Sequence, residues 1–300
     1  MCTAVIYRGE NNFFGRTLDL EYHYHEEVVM TPREWPLHLR YGRGLARHYA
    51  YIGMASMAGD TPLYYDGMSE MGVAAAALRF ADYAHYTPHS ERIKEGLAAF
   101  EVLPFLLSLA RSAREGVELL SGRVITDLAY DEAHPTTPLH WMIADAKTAY
   151  VIEPLASGVS ITENPLGVLT NAPDFASQMR AYKPYAQLTP AYRSRAAQGL
   201  PGNWTSAARF VRAAYLNTHL AKGDEKVYFR MMDSLAVPPG ASITEGGKET
   251  ETIYTSCCNL ETGEYFYHTR QGRKIRSHRL GAYCLDGSEV QRFPLLYDEK

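Results

Sequence analysis

Residues 1–21 read MCTAVIYRGENNFFGRTLDLE. Two β-branched and aromatic runs, CTAVIYR and FFGRTLDLE, flank the polar turn GENN, which is the pattern of a strand pair. The first run opens on Cys2, directly behind Met1, and the second carries Arg16 and Asp19. If the runs pair, Arg16 and Asp19 can lie beside Cys2. A start methionine is normally trimmed when the second residue is small, and cysteine qualifies. Trimming would give Cys2 a free α-amine with a pKa of about 7.7–8.0, against about 8.5 for its thiol. One residue would then hold a nucleophile and a base that works near neutral pH, with no catalytic histidine. A thiolate needs a positive neighbour, and Arg16 is the candidate. Asp19 could hold the ammonium or orient the amine by a charge-assisted hydrogen bond. The plain alternative is an inert thiol beside a surface ion pair.

Composition narrows the classes. The chain has 300 residues, enough for a sizeable core, with 46% apolar and 21% charged residues. Its net charge of −4 and its lack of a basic run point away from nucleic acid and membrane surfaces as partners. Arg8, Glu10, Asn11 and Asn12 interrupt any apolar signal-peptide core, and MGVAAAALRF and VLPFLLSLA are too short to span a bilayer. Cys2, Cys257, Cys258 and Cys284 do not make a disulfide framework, so a reduced, cytoplasmic protein is expected. The 22 tyrosines suit cores and amphipathic pockets alike.

Along the chain, EVVMTPR reads as a strand, and TPLYYDGMSEMGVAAAALRF as two extended runs punctuated by Gly67 and Gly72. The alanines of GVAAAALRF also permit a helix, but a run so short and so tightly bounded favours strand. EVLPFLLSLARS reads as a helix with Pro104 in its first turn. SAREGVELLSG is a second, with Ser112 and Glu115 in capping-box spacing and Gly122 as a stop. LHWMIADAKTAYVIEP is a hairpin signal, and VSITENPLGVLTNAPDF adds strand. TSAARFVRAAYLNTHLA is an amphipathic helix with Ala207, Phe210, Val211 and Ala214 on one face, KVYFRMMDSLA is another, and the tail pairs strands around TGE. Strands and helices come in blocks, as expected of an antiparallel-rich sandwich rather than a doubly wound parallel sheet. No glycine-rich phosphate loop and no domain boundary is visible, so residues 1–300 are expected to form one domain.

The opening resembles the choloylglycine hydrolase family, the cysteine branch of the N-terminal nucleophile hydrolases, which holds bile salt hydrolases and penicillin V acylases. The resemblance continues in order: DGMSEMGVA is similar to the family's DGMNEKGL, and LHWMIAD to LHWMI. GVLTNAPDF is similar to GVLTNSP, GLPGNWTSAARFVRAA to its GLPGD-containing helix start, and YTSCCNLETGEYFY to its YTSC strand. Six blocks in one order are specific where any one is weak.

The resemblance implies an α+β fold, a four-layer αββα sandwich of antiparallel sheets. It implies an amidase that cleaves a non-peptide carboxamide: a glycine- or taurine-conjugated bile acid, or alternatively penicillin V or another N-acyl amide such as an N-acyl homoserine lactone. Cys2 matches the nucleophile and base, Arg16 and Asp19 the pair flanking it, and Asn171 the side-chain donor of the oxyanion hole. Arg209 matches the active-site arginine, while its neighbour Arg212 carries no such match. Arg79 stands where the family commonly has asparagine or tyrosine; its backbone N–H is the second oxyanion donor, while its side chain faces the question of specificity. A guanidinium there can pair with a glycine carboxylate or taurine sulfonate, or with Asp82 as part of the wall. Ser69 is a smaller departure, and the stretch from Gln187 to Gly202 is shorter than in many members. Leu18, Tyr24 and Leu139 are the candidate acyl-pocket residues, with ordinary core or strand residues as the alternative. His23 and His25 in EYHYHEE could bind a metal, but no third ligand is evident, and no metal or cofactor is expected. A homo-oligomer, a tetramer by resemblance, is expected, as is a small amphipathic amide as partner. A non-catalytic module binding an amphipathic ligand is the rival from another class, and the presence of Cys2 argues against it.

Overall fold

The computed structural model describes residues 1–188, 199–244, 246–270 and 272–296. The shortened stretch before Gly202 falls largely outside these. Strands run in chain order as β1 (Cys2–Arg8), β2 (Asn12–Leu20), β3 (Glu27–Thr31), β4 (Tyr51–Ala58), β5 (Thr61–Ser69), β6 (Ala74–Arg79), β7 (Gly96–Ala98) and β8 (Val124–Thr126). There follow β9 (Leu139–Ala144), β10 (Ala149–Leu155), β11 (Gly158–Glu163), β12 (Val168–Thr170), β13 (Ser242–Ile243), β14 (Glu249–Asn259), β15 (Glu264–Thr269), β16 (Gly272–Arg279) and β17 (Gln291–Pro294). The helices among the described residues are α1 (Val102–Leu109), α2 (Ala113–Leu120), α3 (Phe175–Tyr182), α4 (Ser206–His219) and α5 (Glu225–Asp233).

The first sheet has the order β12-β1-β2-β14-β15-β16, with β13 paired to β14; the second runs β11-β10-β9-β6-β5-β4-β3-β17. Both are antiparallel among the described residues, and the small β7–β8 pair is parallel. The sheets stack through one apolar core that takes Ala4, Ile6 and Phe14 from the first and Ala74, Ala76, Leu78 and Met142 from the second. Helices α4 and α5 cover the first sheet with α3 packed on α4, and α1 and α2 cover the second, completing four αββα layers.

The alanine run of β6 shows why local propensity yields here. Ala74 and Ala76 face the first sheet, whereas Ala75 and Ala77 belong to the core under α1. Small side chains buried on both faces let a sheet and a helix approach the same strand, and that packing outweighs the helix preference of alanine. Gly72, at φ 70°, makes the β5–β6 turn as expected. Gly67 does not punctuate: it lies inside β5, where a Cβ would come within 2.6 Å of the Ile52 carbonyl oxygen. In α2, Ser112 caps the Glu115 N–H at 3.1 Å, but the Glu115 carboxylate turns to Arg111 instead of closing the box. No helix among the described residues is long and apolar enough to cross a membrane.

Candidate active site

In antiparallel ladders, every second residue pair exchanges backbone hydrogen bonds. Two ladders come apart at predictable pairs in this fold, and side chains close both gaps.

The first gap lies between β1 and β12. The register pairs Ala4 with Leu169, and the Ile6 N–H donates to the Gly167 carbonyl at 2.8 Å, so Cys2/Asn171 is the next bonded pair due. It is not made through the backbone. The Cys2 N–H donates to Asn171 Oδ1 at 2.5 Å, and the Cys2 carbonyl accepts from Arg209 Nη1. The Asn171 carbonyl is drawn away by Gln178 Nε2 at 2.7 Å and Ser206 Oγ at 2.9 Å. Arg209, in the first turn of α4, also donates to Asn171 Oδ1 at 2.9 Å and to Thr3 Oγ1 at 2.5 Å. It is fully buried. Burial lowers its pKa, while Asp19 and Cys2 work the other way.

The second gap lies between β5 and β6. Gly67 pairs with Ala75, and the Ser69 N–H donates to the Val73 carbonyl at 2.8 Å, so Tyr65/Ala77 and then Leu63/Arg79 are due. By Tyr64, β5 has shifted register on β4 and left β6. Arg16 fills the split: its Nη1 donates to the Tyr65 carbonyl at 3.1 Å and also to the Ala77 carbonyl. Its Nη2 has no partner among the described residues and remains a buried cationic donor. Burial opposes the charge of Arg16, yet Cys2, Tyr254, Asp66 and Asp19 outweigh it and hold the guanidinium pKa above its ordinary value. One position further on, the Arg79 carbonyl accepts Asn171 Nδ2 at 2.8 Å. The same register leaves the Arg79 N–H facing the gap with no ladder partner. Asn171 thus spans both splits and keeps one amide hydrogen free.

Strand alternation sorts the remaining residues. Cys2 faces Leu18, and Ala4 faces Arg16, so these four side chains share the inter-sheet face. Asp19, an odd number of residues from Arg16, projects toward the helices. Its Oδ1 accepts from Thr252 Oγ1 at 2.6 Å, and its Oδ2 lies 3.9 Å from Arg209 Nη1. The two flanking charges expected from sequence therefore bracket Cys2 from opposite faces. Cys2 is 3% exposed. Burial pushes its thiol pKa up, but Arg16, the terminal ammonium and the Asp19 N–H outweigh burial and the Asp19 charge, and the net shift is downward. Met1 extends the strand by one residue: its N donates to the Asp19 carbonyl at 2.5 Å, and its carbonyl accepts the Asp19 N–H at 2.8 Å. While Met1 is attached, the Cys2 nitrogen is an amide and no base.

The remaining expected residues stand further out. Arg79 alternates with Ala75 and Ala77 onto the face away from Cys2, opposite Leu139, which packs against the helix-side core. Its side chain is exposed and makes no ion pair among the described residues, with Asp82 or otherwise. Tyr24 is 43% exposed in the loop after β2, its ring 4.8 Å from that of Tyr22. His23 lies 3.5 Å from Glu26, and no group of metal-ligating residues occurs among the described residues. Cys257 and Cys258 are buried, and burial raises both thiols well above the ordinary range.

Sequence reading overlooked the supports of the site. Gln178 in α3 bonds the Asn171 and Pro173 carbonyls and accepts from the Thr170 N–H at 3.1 Å. Asp66, fully buried, accepts from Tyr254 at 2.6 Å and Tyr265 at 2.7 Å. His140 sits buried on the Asn171 side of β9. A polar residue inside an apolar alternation, as in LHWMIA, was the available signal.

The Linear amide C-N hydrolases, choloylglycine hydrolase family, match residues 2–293. The chain is 36% identical to the bile salt hydrolase/transferase of Lactiplantibacillus plantarum, covering 98% of this chain and 97% of that one. It is 29% identical to the bile salt hydrolase/transferase of Clostridium perfringens, over 98% and 96%. Among solved structures, a variant of the conjugated bile acid hydrolase of Clostridium perfringens superposes with a TM-score of 0.91 at 28% identity, over 100% of this chain and 99% of that one. The penicillin V acylase of Agrobacterium tumefaciens shares the fold, with a TM-score of 0.82 at 20% identity over 97% and 90%. With six sequence blocks in order, an αββα sandwich and a match across nearly its whole length, this chain belongs to the choloylglycine hydrolase family of linear amide C–N hydrolases.

Proposed function

We propose that the protein, once Met1 is removed, hydrolyses glycine- or taurine-conjugated bile acids with Cys2 as nucleophile. The observation that carries the catalytic assignment is the set of contacts on Cys2: a thiol whose pKa is lowered by Arg16, and a nitrogen held by Asn171. The substrate class rests on full-length similarity to bile salt hydrolases.

The thiolate attacks the amide carbonyl carbon, and the carbonyl π pair moves onto oxygen. The free Asn171 amide hydrogen and the unpaired Arg79 N–H receive that oxyanion, each such donor contributing about 10²–10³ in rate. The α-ammonium of Cys2 gives a proton to the leaving nitrogen as the C–N bond breaks, releasing glycine or taurine and leaving a thioester. Water, deprotonated by the α-amine, attacks the thioester; the C–S bond breaks and the bile acid leaves. Asp19 and Arg209 hold the Cys2 backbone in place through both steps. Leu18, beside Cys2 on the inter-sheet face, lies on the acyl side. The enzyme acts in the cytoplasm, consistent with four unpaired cysteines, and as a homotetramer, which sedimentation can test.

The test is a hydrolysis panel of glycocholate, taurocholate, penicillin V and an N-acyl homoserine lactone, run beside Cys2→Ala and intact-mass analysis. Cys2-dependent turnover with the conjugates ranked first by kcat/KM is expected, in a chain lacking Met1. Penicillin V or the lactone ranked first would give the acylase reading. No turnover of any would favour a binding module, and a retained Met1 in active protein would refute the mechanism.

A further inference from the structure

His140 lies outside the residues assigned to chemistry above, yet it touches the supports of both oxyanion donors. Its ring is fully buried in β9, opposite Leu78 of β6. Nε2 is 2.8 Å from the Thr170 carbonyl oxygen, one residue before Asn171. The ring stacks on Phe80, one residue after Arg79, with centroids 4.2 Å apart and planes at 10°. Nδ1 is 3.3 Å from Glu153 Oε1, and that same oxygen accepts the Phe175 N–H at 2.9 Å. Glu153 thereby pins the far end of the loop that begins at Asn171. A carbonyl facing Nε2 requires the proton there, and the Glu153 carboxylate accepts from Nδ1 only when the ring carries its second proton. Burial lowers the imidazole pKa, while Glu153 and the Thr170 carbonyl work the other way.

Resting on the amidase assignment above, we infer that His140, oriented by Glu153, is a positioning residue that holds the Asn171 amide and the Arg79 N–H at one separation, so that both meet the same oxygen. Neither gap in the ladders has backbone bonds to keep that separation. The Asn171 loop is otherwise tied to the helices through Gln178 and Ser206, whereas Arg79 belongs to the second sheet. His140, the Phe175 N–H bond to Glu153 of β10 and the single Asn171 Nδ2 bond to Arg79 join the two.

The experiment compares His140→Phe with wild type on three readouts. They are kcat and KM for the best amide of the panel, the alkylation rate of Cys2 by iodoacetamide, and the affinity of an aldehyde analogue of the acyl group. Alkylation forms no oxyanion; the thiohemiacetal of the aldehyde does. His140→Phe keeps the stacked ring but loses both nitrogens. It should lower kcat and aldehyde affinity by about tenfold to a hundredfold, the range for misplaced donors, with KM and alkylation within about threefold. His140→Gln, whose amide can still donate to Thr170, should recover part of kcat. Glu153→Gln, which keeps an acceptor for Phe175, carries the same comparison if His140→Phe does not fold. Unchanged kcat and aldehyde affinity would overturn the inference, and so would alkylation falling in parallel with kcat. Wild type that turns over no amide refutes the amidase assignment instead, and aldehyde affinity then still reads the positioning.

Discussion

Replacing Arg16 with methionine removes one side chain from two jobs. Its Nη1 donates to the Tyr65 and Ala77 carbonyls, which the parting of β5 and β6 leaves without the N–H groups of the opposite strand. Each buried acceptor left bare costs about 1–3 kcal/mol, so the variant should lose about 2–6 kcal/mol. At an unfolding entropy of about 2.1 cal/mol/K per residue, a 300-residue chain loses about 1.6 °C of Tm per kcal/mol, giving about 3–10 °C. The second job is electrostatic. Burial raises the Cys2 thiol pKa, and Arg16 is its largest opponent. A thiol whose folded pKa is depressed stabilises the fold above its unfolded pKa of about 8.5 and loses that contribution as pH falls through the folded value. The Tm gap between wild type and Arg16→Met should therefore widen as pH rises from about 6 to 9. Iodoacetamide alkylation of Cys2, followed by mass spectrometry across pH, should show the midpoint displaced upward in Arg16→Met. Arg16→Lys, which keeps the charge, should show most of the reactivity retained. A folded Arg16→Met protein with an unchanged alkylation profile would refute the electrostatic role.

Other outcomes follow from the same geometry. Asn171→Ala should lower kcat by about 10²–10³ in steady-state assays, because the side-chain oxyanion donor and the Cys2 nitrogen acceptor go together. Arg79→Ala should keep kcat within about threefold, whereas Arg79→Pro, which removes an N–H the ladder does not use and puts a ring carbon in its place, should lose about 10²; equal losses would sink the backbone-donor role. Conjugate selectivity in Arg79→Asn, measured on glycocholate against taurocholate, reads whether the exposed guanidinium reaches the leaving group. Under native conditions a thiol reagent should modify exposed Cys284 at once and leave Cys257 and Cys258 unmodified until the protein unfolds, as peptide mapping can show.

Much of this was legible from one chain. The β1–β2 pair follows from β-branched runs around a polar turn, and Cys2 stood out by position alone. The odd spacing of Arg16 and Asp19 already implies opposite faces of one strand. The ladder gaps were not legible, because they depend on register between strands far apart in sequence, such as Cys2 with Asn171 and Tyr65 with Ala77. Gly67 was misread because a close approach between β4 and β5 leaves the same glycine signature as a turn. Glu115 satisfied the capping-box spacing, yet Arg111, four residues upstream, competes for its carboxylate with charge. His140 was hidden in plain alternation: its value lies in which backbone segments flank it, and those belong to other strands.

Side chains that close sheet gaps make activity a poor witness to chemistry. Arg16, Asn171 and Arg209 are fasteners of the fold whatever part they take in the proposed reaction, so random mutation will rarely alter them without loosening the sandwich. Cys2 is different: its side chain closes no gap, and the sheet would lose little if the sulfur were gone. A descendant of this chain could surrender catalysis by a single change at position 2 while every other hallmark of the site persisted under selection for stability. On the proposed mechanism, the residue at position 2, rather than the completeness of its surroundings, is what would separate a working enzyme from a silent relative in this architecture.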